Sequence, residues 1–304
     1  MPASCTTQRQ RSSRNRVVYC INSKCRQREN PNTLNFCQSC GTPLSIKNRY
    51  RLVSPLRPLY SSGQAEIFEV EDLGVEAAIG SRYKVLKVLK KNNSTLIRLF
   101  EQEADILTKL NHPGIPKISL GDGYFTITVP RRTQLLHCLV MEKVEGDTLQ
   151  DWVERNGPIS SEEALNWLKQ LLEILEYLHK NKYFHRDIKP SNIMRRPTGQ
   201  LVLIDFGTVR EMSQTYIIKV SGRGEITCVW SAGYTPEEAL RGEAIPQSDF
   251  FALGRTFAHL LTGKSPLELS ENSEEFNWRD HAPQVSPSLA DWIDYLMASS
   301  PLHR

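Results

Sequence analysis

Cys20, Cys25, Cys37 and Cys40 are the first residues in this sequence whose type and spacing could do chemistry. Four residues separate the first pair, two the second and eleven lie between the pairs, while Gly41 follows the last cysteine. Two thiolates on a tight turn present two sulfurs to one tetrahedral face, and two such knuckles close a site with no position left open for catalysis, so the chemistry is structural zinc binding. About twenty-five residues cannot bury enough apolar area to fold alone, and the metal would supply the folding free energy. The same spacing is compatible with two disulfides or four unrelated thiols; the lack of a secretion signal weighs towards Zn2+. Cys5, Cys138 and Cys228 have no ligand spacing, and Cys138, in an apolar run, reads as a core residue. A second set is polar. His185-Arg186-Asp187-Ile188-Lys189-Pro190-Ser191-Asn192 precedes the short apolar run 201–204, and Asp205-Phe206-Gly207 follows it, so Asp187 and Asp205 stand 18 residues apart.

These two polar stretches resemble the catalytic and metal-binding signature of eukaryotic-like protein kinases, and from about residue 49 onward the sequence is similar to bacterial serine/threonine protein kinases. Either stretch alone occurs by chance in many proteins; both at this spacing do not. The resemblance implies transfer of the γ-phosphoryl group of ATP to Ser/Thr hydroxyls of proteins, autophosphorylation included, with Mg2+ or Mn2+ neutralising phosphate charge. It assigns Asp187 to orient the hydroxyl and accept its proton, Asn192 and Asp205 to hold magnesium, and Lys189 to steady the transferring phosphate. Upstream, Val85-Leu86-Lys87 resembles the strand lysine that holds the α and β phosphates, with Glu103 as its helix partner and Glu101 as a surface acid. Lys84, Lys87 and Lys90 recur every third residue; on a strand Lys87 faces opposite to the other two, and the trailing Val88-Leu89-Lys90 selects it. The stretch 139–146 resembles the hinge, where backbone groups of Glu142 and Val144 would pair with adenine and Met141 would guard the back pocket. Downstream, Ser231-Ala232-Gly233-Tyr234-Thr235-Pro236-Glu237-Glu238 resembles the end of an activation segment, Asp249 the family's buried aspartate, and Glu238 the partner of Arg304. Arg186 implies an activation segment ordered by phosphate on an arginine cluster, with Thr215, Ser221 and Thr227 as candidate sites beside a reading as ordinary loop polarity.

The sequence departs from the family in two places. Ser61, Ser62, Gly63, Gln64, Ala65 and Ile67 are the residues the resemblance puts against ATP, but the three glycine positions of the covering loop fall on Tyr60, Ser62 and Ala65. Small residues still permit fairly close backbone approach, whereas a tyrosine does not take positive φ cheaply, so weaker nucleotide affinity is expected rather than lost chemistry. Family members also continue past an arginine like Arg304 into one more helix, so the sequence reads as C-terminally truncated.

The elements that must position these residues follow from periodicity. Runs 65–70, 84–89 and 137–141 alternate as strands. Leu96, Leu99, Phe100, Glu103, Ile106, Leu107 and Leu110 recur at helical spacing, as do Leu165, Leu168, Leu171, Leu172, Leu175 and Leu178 behind the capping signature Ser160/Glu163, and a further apolar helix runs over about 250–261. The expected fold is α+β: a two-lobed kinase domain over 47–304, with a β-rich N-lobe about 49–144, a helical C-lobe about 145–304 and a ligand cleft between them. A basic tail (1–18) and a zinc-ribbon-like module (19–46) precede it.

The composition narrows the alternatives. With 39% apolar and 24% charged residues the 304-residue chain reads as globular, and no apolar run approaches the roughly twenty residues of a membrane span. No apolar segment follows the N-terminal arginines, so no signal peptide is expected and the cytoplasm is the default; the same Arg/Ser-rich start is also the composition of a transit peptide. Residues 1–57 hold 11 of the 38 Lys/Arg and one of the 34 Asp/Glu, leaving 27 basic and 33 acidic groups for the rest. This basic segment is read as a solvated tail and a ribbon that recruits a substrate or partner; with few aromatics interleaved, nucleic-acid binding is not expected. Two rival readings are a pseudokinase scaffold, against which Asp187, Asn192 and Asp205 stand, and a small-molecule phosphotransferase, against which Lys189, Tyr234, Pro236 and Glu238 stand.

Overall fold

A computed structural model describes residues 17–60, 63–74, 81–130, 135–211, 231–270 and 276–304. Cys5, Ser61, Ser62, Thr215, Ser221, Thr227 and Cys228 lie outside the described residues, as does nearly all of the basic tail. The chain divides into two compact units, one of residues up to Phe100 with Ser119–Lys143, the other of Glu101–Ile118 with Val144–Arg304.

The first unit is built on one antiparallel sheet. Its strands are β1 (Val17–Tyr19), β2 (Glu29–Pro31), β3 (Ser45–Ile46), β4 (Tyr50–Pro55), β5 (Ala65–Asp72), β6 (Tyr83–Leu89), β7 (Gly123–Thr128) and β8 (Leu135–Glu142), in the order β2-β1-β4-β5-β6-β8-β7, with β3 also on β4. The cysteine segment is thus continuous with the sheet, because Tyr19 pairs with Leu52 across β1 and β4. Alternation decides the faces. Glu66, Phe68 and Val70 on β5 stand opposite Val88, Leu86 and Lys84 on β6, and most of this face packs with Ile21, Ile46, Tyr50, Leu52, Cys138 and Val140 as the core. Ala65, Ile67 and Glu69 face the other way, across from Leu89, Lys87 and Val85. Cys138 is fully buried, as its apolar run predicts, and burial pushes its thiol up to about 12. One end of the sheet is closed by charge: Arg49 donates to both Asp72 oxygens at 2.7 and 2.6 Å and to Asp122 at 3.1 Å, while the Tyr50 hydroxyl donates to Asp122 at 2.7 Å.

Helix α1 (Ser94–Lys109) begins in the first unit and ends in the second. The second unit continues with β9 (Asp147–Thr148), α2 (Leu149–Asn156), α3 (Ser161–Lys180), β10 (Tyr183–Phe184), β11 (Ile193–Arg195), β12 (Leu201–Leu203), β13 (Arg210–Glu211), α4 (Glu237–Leu240), α5 (Pro246–Thr262) and α6 (Pro287–Leu296). The predicted capping box forms: Glu163 N–H donates to Ser160 Oγ at 3.2 Å and Ser160 N–H to Glu163 Oε2 at 3.1 Å, satisfying two donors at the head of α3. Its buried stripe is Ala164, Trp167, Leu168, Leu171, Ile174, Leu175 and Leu178. Leu165 and Leu172 were expected on the same face but are exposed, because positions seven apart form a second line one step around the helix from the buried one. Helix α5 ends where Gly263 takes φ +71° and its N–H reaches the His259 carbonyl. Gly146 is required where it stands: at φ +125°, an added Cβ would lie 2.0 Å from the Arg195 carbonyl oxygen. Among the described residues no helix is long and apolar enough to cross a membrane.

Candidate active site and metal centre

The polar loop between β10 and β11 is shaped by a buried carboxylate. Asp249, in the first turn of α5 and fully buried, accepts the backbone N–H groups of His185 and Arg186 at 2.8 Å each, and His179 Nε2 lies 2.9 Å from it. This backbone is bent, with Arg186 at φ +72° and Asp205 at φ +66°, a left-handed conformation that non-glycine residues adopt at a cost when the surroundings over-determine it. Thr208 Oγ1 donates to the His185 carbonyl at 2.8 Å, and Ile204 N–H to the Asn192 carbonyl at 2.8 Å, joining the loop to the segment after β12. Asp249→Ala is expected to cost about 3 kcal/mol or more, since bonds to a buried charge are each worth about 1.5–3 kcal/mol. Denaturant unfolding checks this; a loss below about 1 kcal/mol counts against it.

Within this frame four side chains converge. Asn192 Nδ2 donates to the Asp187 carbonyl at 2.9 Å and to Asp187 Oδ2 at 2.8 Å. Lys189 Nζ stands 2.9 Å from the same Oδ2 and donates to Ser231 Oγ at 2.7 Å. The Ser231 hydroxyl donates to Asp187 Oδ1 at 2.5 Å. Both oxygens of Asp187 are therefore engaged, one by an amide and an ammonium and the other by an alcohol. Ser231 entered the sequence reading only as the start of a segment; its place on the Asp187 carboxylate depends on how residues 231–236 fold back, which no local pattern encodes. Glu103 is buried, and its carboxylate lies 3.4 Å from where a Cβ on Gly207 would stand, with Asp205 Oδ1 3.6 Å from the same point. The His185 ring is buried edge-on against Phe206 at 5.2 Å, and burial lowers its pKa. His112 and His259 are lowered by burial as well. Below about pH 6.5 the unfolded chain takes up protons that these rings refuse, so stability falls as pH falls, by up to about 1.4 kcal/mol per unit per histidine. Urea midpoints at pH 7.5 and 5.5 should show the drop; a flat profile would count against neutral burial.

In the first unit, Lys87 lies on β6 between Ile67 of β5 and Leu139 of β8 and is buried. Lys84, on the opposite face, is taken up by Asp122 Oδ2 at 3.1 Å and Ser119 Oγ at 3.2 Å. Ala65 and Ile67 share the Lys87 face, Gly63 and Gln64 lead into them, and Glu142 closes β8 opposite Lys84. Val144 follows in the second unit. Tyr60, aligned with a glycine position, does take the left-handed conformation, at φ +66°, with its ring exposed. Tyr60→Gly should therefore lower the KM for ATP a few-fold with stability changed by less than about 1 kcal/mol, since relieved strain offsets added chain entropy. An unchanged or raised KM would show that the conformation at this position does not limit affinity.

Cys20, Cys25, Cys37 and Cys40 come together with all four sulfurs within 4.8 Å of one another. The Cys20–Cys40 and Cys25–Cys37 sulfurs are 3.6 Å apart, far beyond a disulfide bond, and all four cysteines are free thiols. A tetrahedron with sulfur about 2.3 Å from its centre has edges of about 3.8 Å, so the cluster fits a tetrahedral thiolate metal site. Val18 and Leu44 pack around it. Burial alone would raise the Cys40 thiol, but hydrogen bonds from Thr42, Cys20 and Cys25 bring it down to about 6.

The second unit gathers Asp187, Lys189 and Asn192 on one loop, with Asp205 just after the hairpin of β11 and β12. Residues 74–304 match the protein kinase domain, and the chain belongs to the protein kinase family. It is 33% identical over 301 residues to serine/threonine-protein kinase B of Synechocystis sp., covering 95% of this chain and 50% of that protein. It is 37% identical over 268 residues to serine/threonine-protein kinase PknA of Nostoc sp. (85% and 45% covered) and 31% over 273 residues to serine/threonine-protein kinase PrkC of Bacillus subtilis (85% and 39%). The chain spans about half the length of these curated relatives.

Proposed function

We propose that this chain is an ATP-dependent protein kinase that phosphorylates serine and threonine hydroxyls of proteins, its own included. The observation that carries the reading is the Asp187 carboxylate, which already holds an alcohol, that of Ser231, beside the Lys189 ammonium. A substrate hydroxyl brought to this carboxylate would be oriented for attack and lose its proton to it, while Lys189 offsets charge on the transferring group. Asn192 uses its Nδ2 on Asp187, which leaves its carbonyl oxygen as a hard donor; with Asp205 it would hold Mg2+ or Mn2+. Bound there, the ion neutralises phosphate charge. Lys87, Glu103, Gly63, Gln64, Ala65, Ile67, Glu142 and Val144 would hold ATP. Occupation of Lys84 by Asp122 supports Lys87 as the phosphate-binding lysine.

The four-cysteine cluster would hold a structural zinc ion. Reduced thiols of this kind persist in a cytoplasm, which is where the reaction is placed. The exposed Lys24, Arg26 and Phe36 of the module are the surface that would recruit a substrate or partner protein. Incubation with Mg2+ and labelled ATP, followed by identification of the labelled residues, tests the activity. Label on serine or threonine is expected; nucleotide binding without transfer would favour the scaffold reading.

A further inference from the structure

Glu66 is a carboxylate on the apolar face of β5, in line with Phe68 and Val70, and it is 7% exposed. Its countercharge comes from the cysteine module. Arg28 Nη1 and Nη2 donate to Glu66 Oε1 and Oε2 at 2.9 Å each, and the guanidinium lies 5.3 Å from the centre of the Phe68 ring. Arg28 Nε donates to the backbone carbonyl of Cys20 at 2.8 Å. One buried guanidinium therefore ties the backbone of a metal-ligand cysteine to the strand whose other face carries Ala65 and Ile67. A planar bidentate pair fixes its partner's direction as well as its distance. Nothing in the family signature accounts for either residue; the sequence signal is a charge at a core-parity position of an alternating strand.

We propose that Arg28 and Glu66 are positioning residues for nucleotide binding: they clamp β5 to the cysteine module so that Ala65 and Ile67 are held in one register, which links occupancy of the metal site to affinity for ATP. The proposal deepens the kinase reading and rests on it. A buried ion pair adds little net stability and can often be replaced by apolar residues of similar volume without loss, so the role assigned to this pair is geometric. Linkage is reciprocal: ATP tightens metal retention by the same factor by which the metal tightens ATP.

The test uses the full chain and the double variant Arg28→Met/Glu66→Leu, which leaves no unpaired buried charge. The expected result is a melting temperature near that of the parent, with the KM for ATP and the Kd of a fluorescent methylanthraniloyl-ATP both raised roughly tenfold and kcat within about twofold. Amide exchange over residues 66–68 should accelerate while that of α5 stays unchanged. Removing metal from the parent with a chelator should raise the analogue's Kd comparably and add little in the double variant. Glu66→Gln, which keeps one acceptor for Arg28, should give an intermediate shift should the double variant not fold. Parent-like KM and Kd in the variants, or an equal chelator effect in parent and double variant, would overturn the clamp. A parent that binds no analogue overturns the nucleotide reading instead, and the exchange comparison over 66–68 then decides the clamp on its own.

Discussion

Asp187→Asn is expected to lower the rate of phosphoryl transfer by about 10²- to 10⁴-fold, the range that a positioned general base contributes. The carboxylate is buried and bonded on both oxygens, and asparagine has the same shape, so the loop should stay folded. Its carbonyl can still accept from Asn192 and Lys189, and its NH2 can donate to Ser231, whose hydroxyl can rotate to accept. What is lost is an acceptor for the substrate proton. Nucleotide affinity, read by equilibrium titration, should stay within about threefold of the parent, because the residues proposed to hold ATP do not include Asp187. Incorporation of label per unit time is the decisive readout. A variant that transfers phosphate within tenfold of the parent would remove Asp187 from the chemistry.

The second large effect is expected at the cysteines. Cys37→Ser should abolish stoichiometric metal retention, since a hard hydroxyl replaces a thiolate in a closed four-sulfur set. Structural zinc in small domains is worth about 10–16 kcal/mol of apparent binding free energy. Even a quarter of that range, about 3 kcal/mol, would lower the melting temperature by roughly 5 °C for a chain of 304 residues. The loss should spread beyond the module, because β1 pairs with β4 and Ile21 and Ile46 belong to the core of the larger sheet. Metal content by elemental analysis and melting by calorimetry check both halves. A parent chain purified without metal and melting like Cys37→Ser would show that the four thiols fold the module by packing alone.

The extent to which these sites were legible beforehand differs by kind. The buried Asp249 and the pairing of Glu238 with Arg304, at 2.6 Å, were readable through the resemblance to a known family, and the capping box on Ser160 and Glu163 because it is a short motif with a fixed local geometry. The cysteine cluster was readable for the same reason, except that spacing left disulfides open until the sulfurs were placed 3.6 Å apart. Helix α3 was legible as an element but not as a face: six leucines fitted a helical period, and packing kept four of them while leaving Leu165 and Leu172 outside. Tyr60 is a third kind. The sequence shows a residue ill suited to positive φ, and the chain adopts that conformation regardless.

From the sequence alone came the chemistry of the individual residues: an acid, a lysine and an amide spaced on one loop, a second acid after the next strand, and four thiolates in two pairs. Those are properties of residue type and short spacing, which survive without knowledge of the fold. Only the tertiary structure decided the rest. It set Ser231 on Asp187 across 44 residues of chain and joined Arg28 to Glu66 across 38, making the cysteine module part of the same sheet as β5. The first depends on how residues 231–236 fold back, and the second on which strands pair and in what register, which is fixed by the collective burial of one face. No single residue carries that information, so it becomes readable only when the whole sheet is in place.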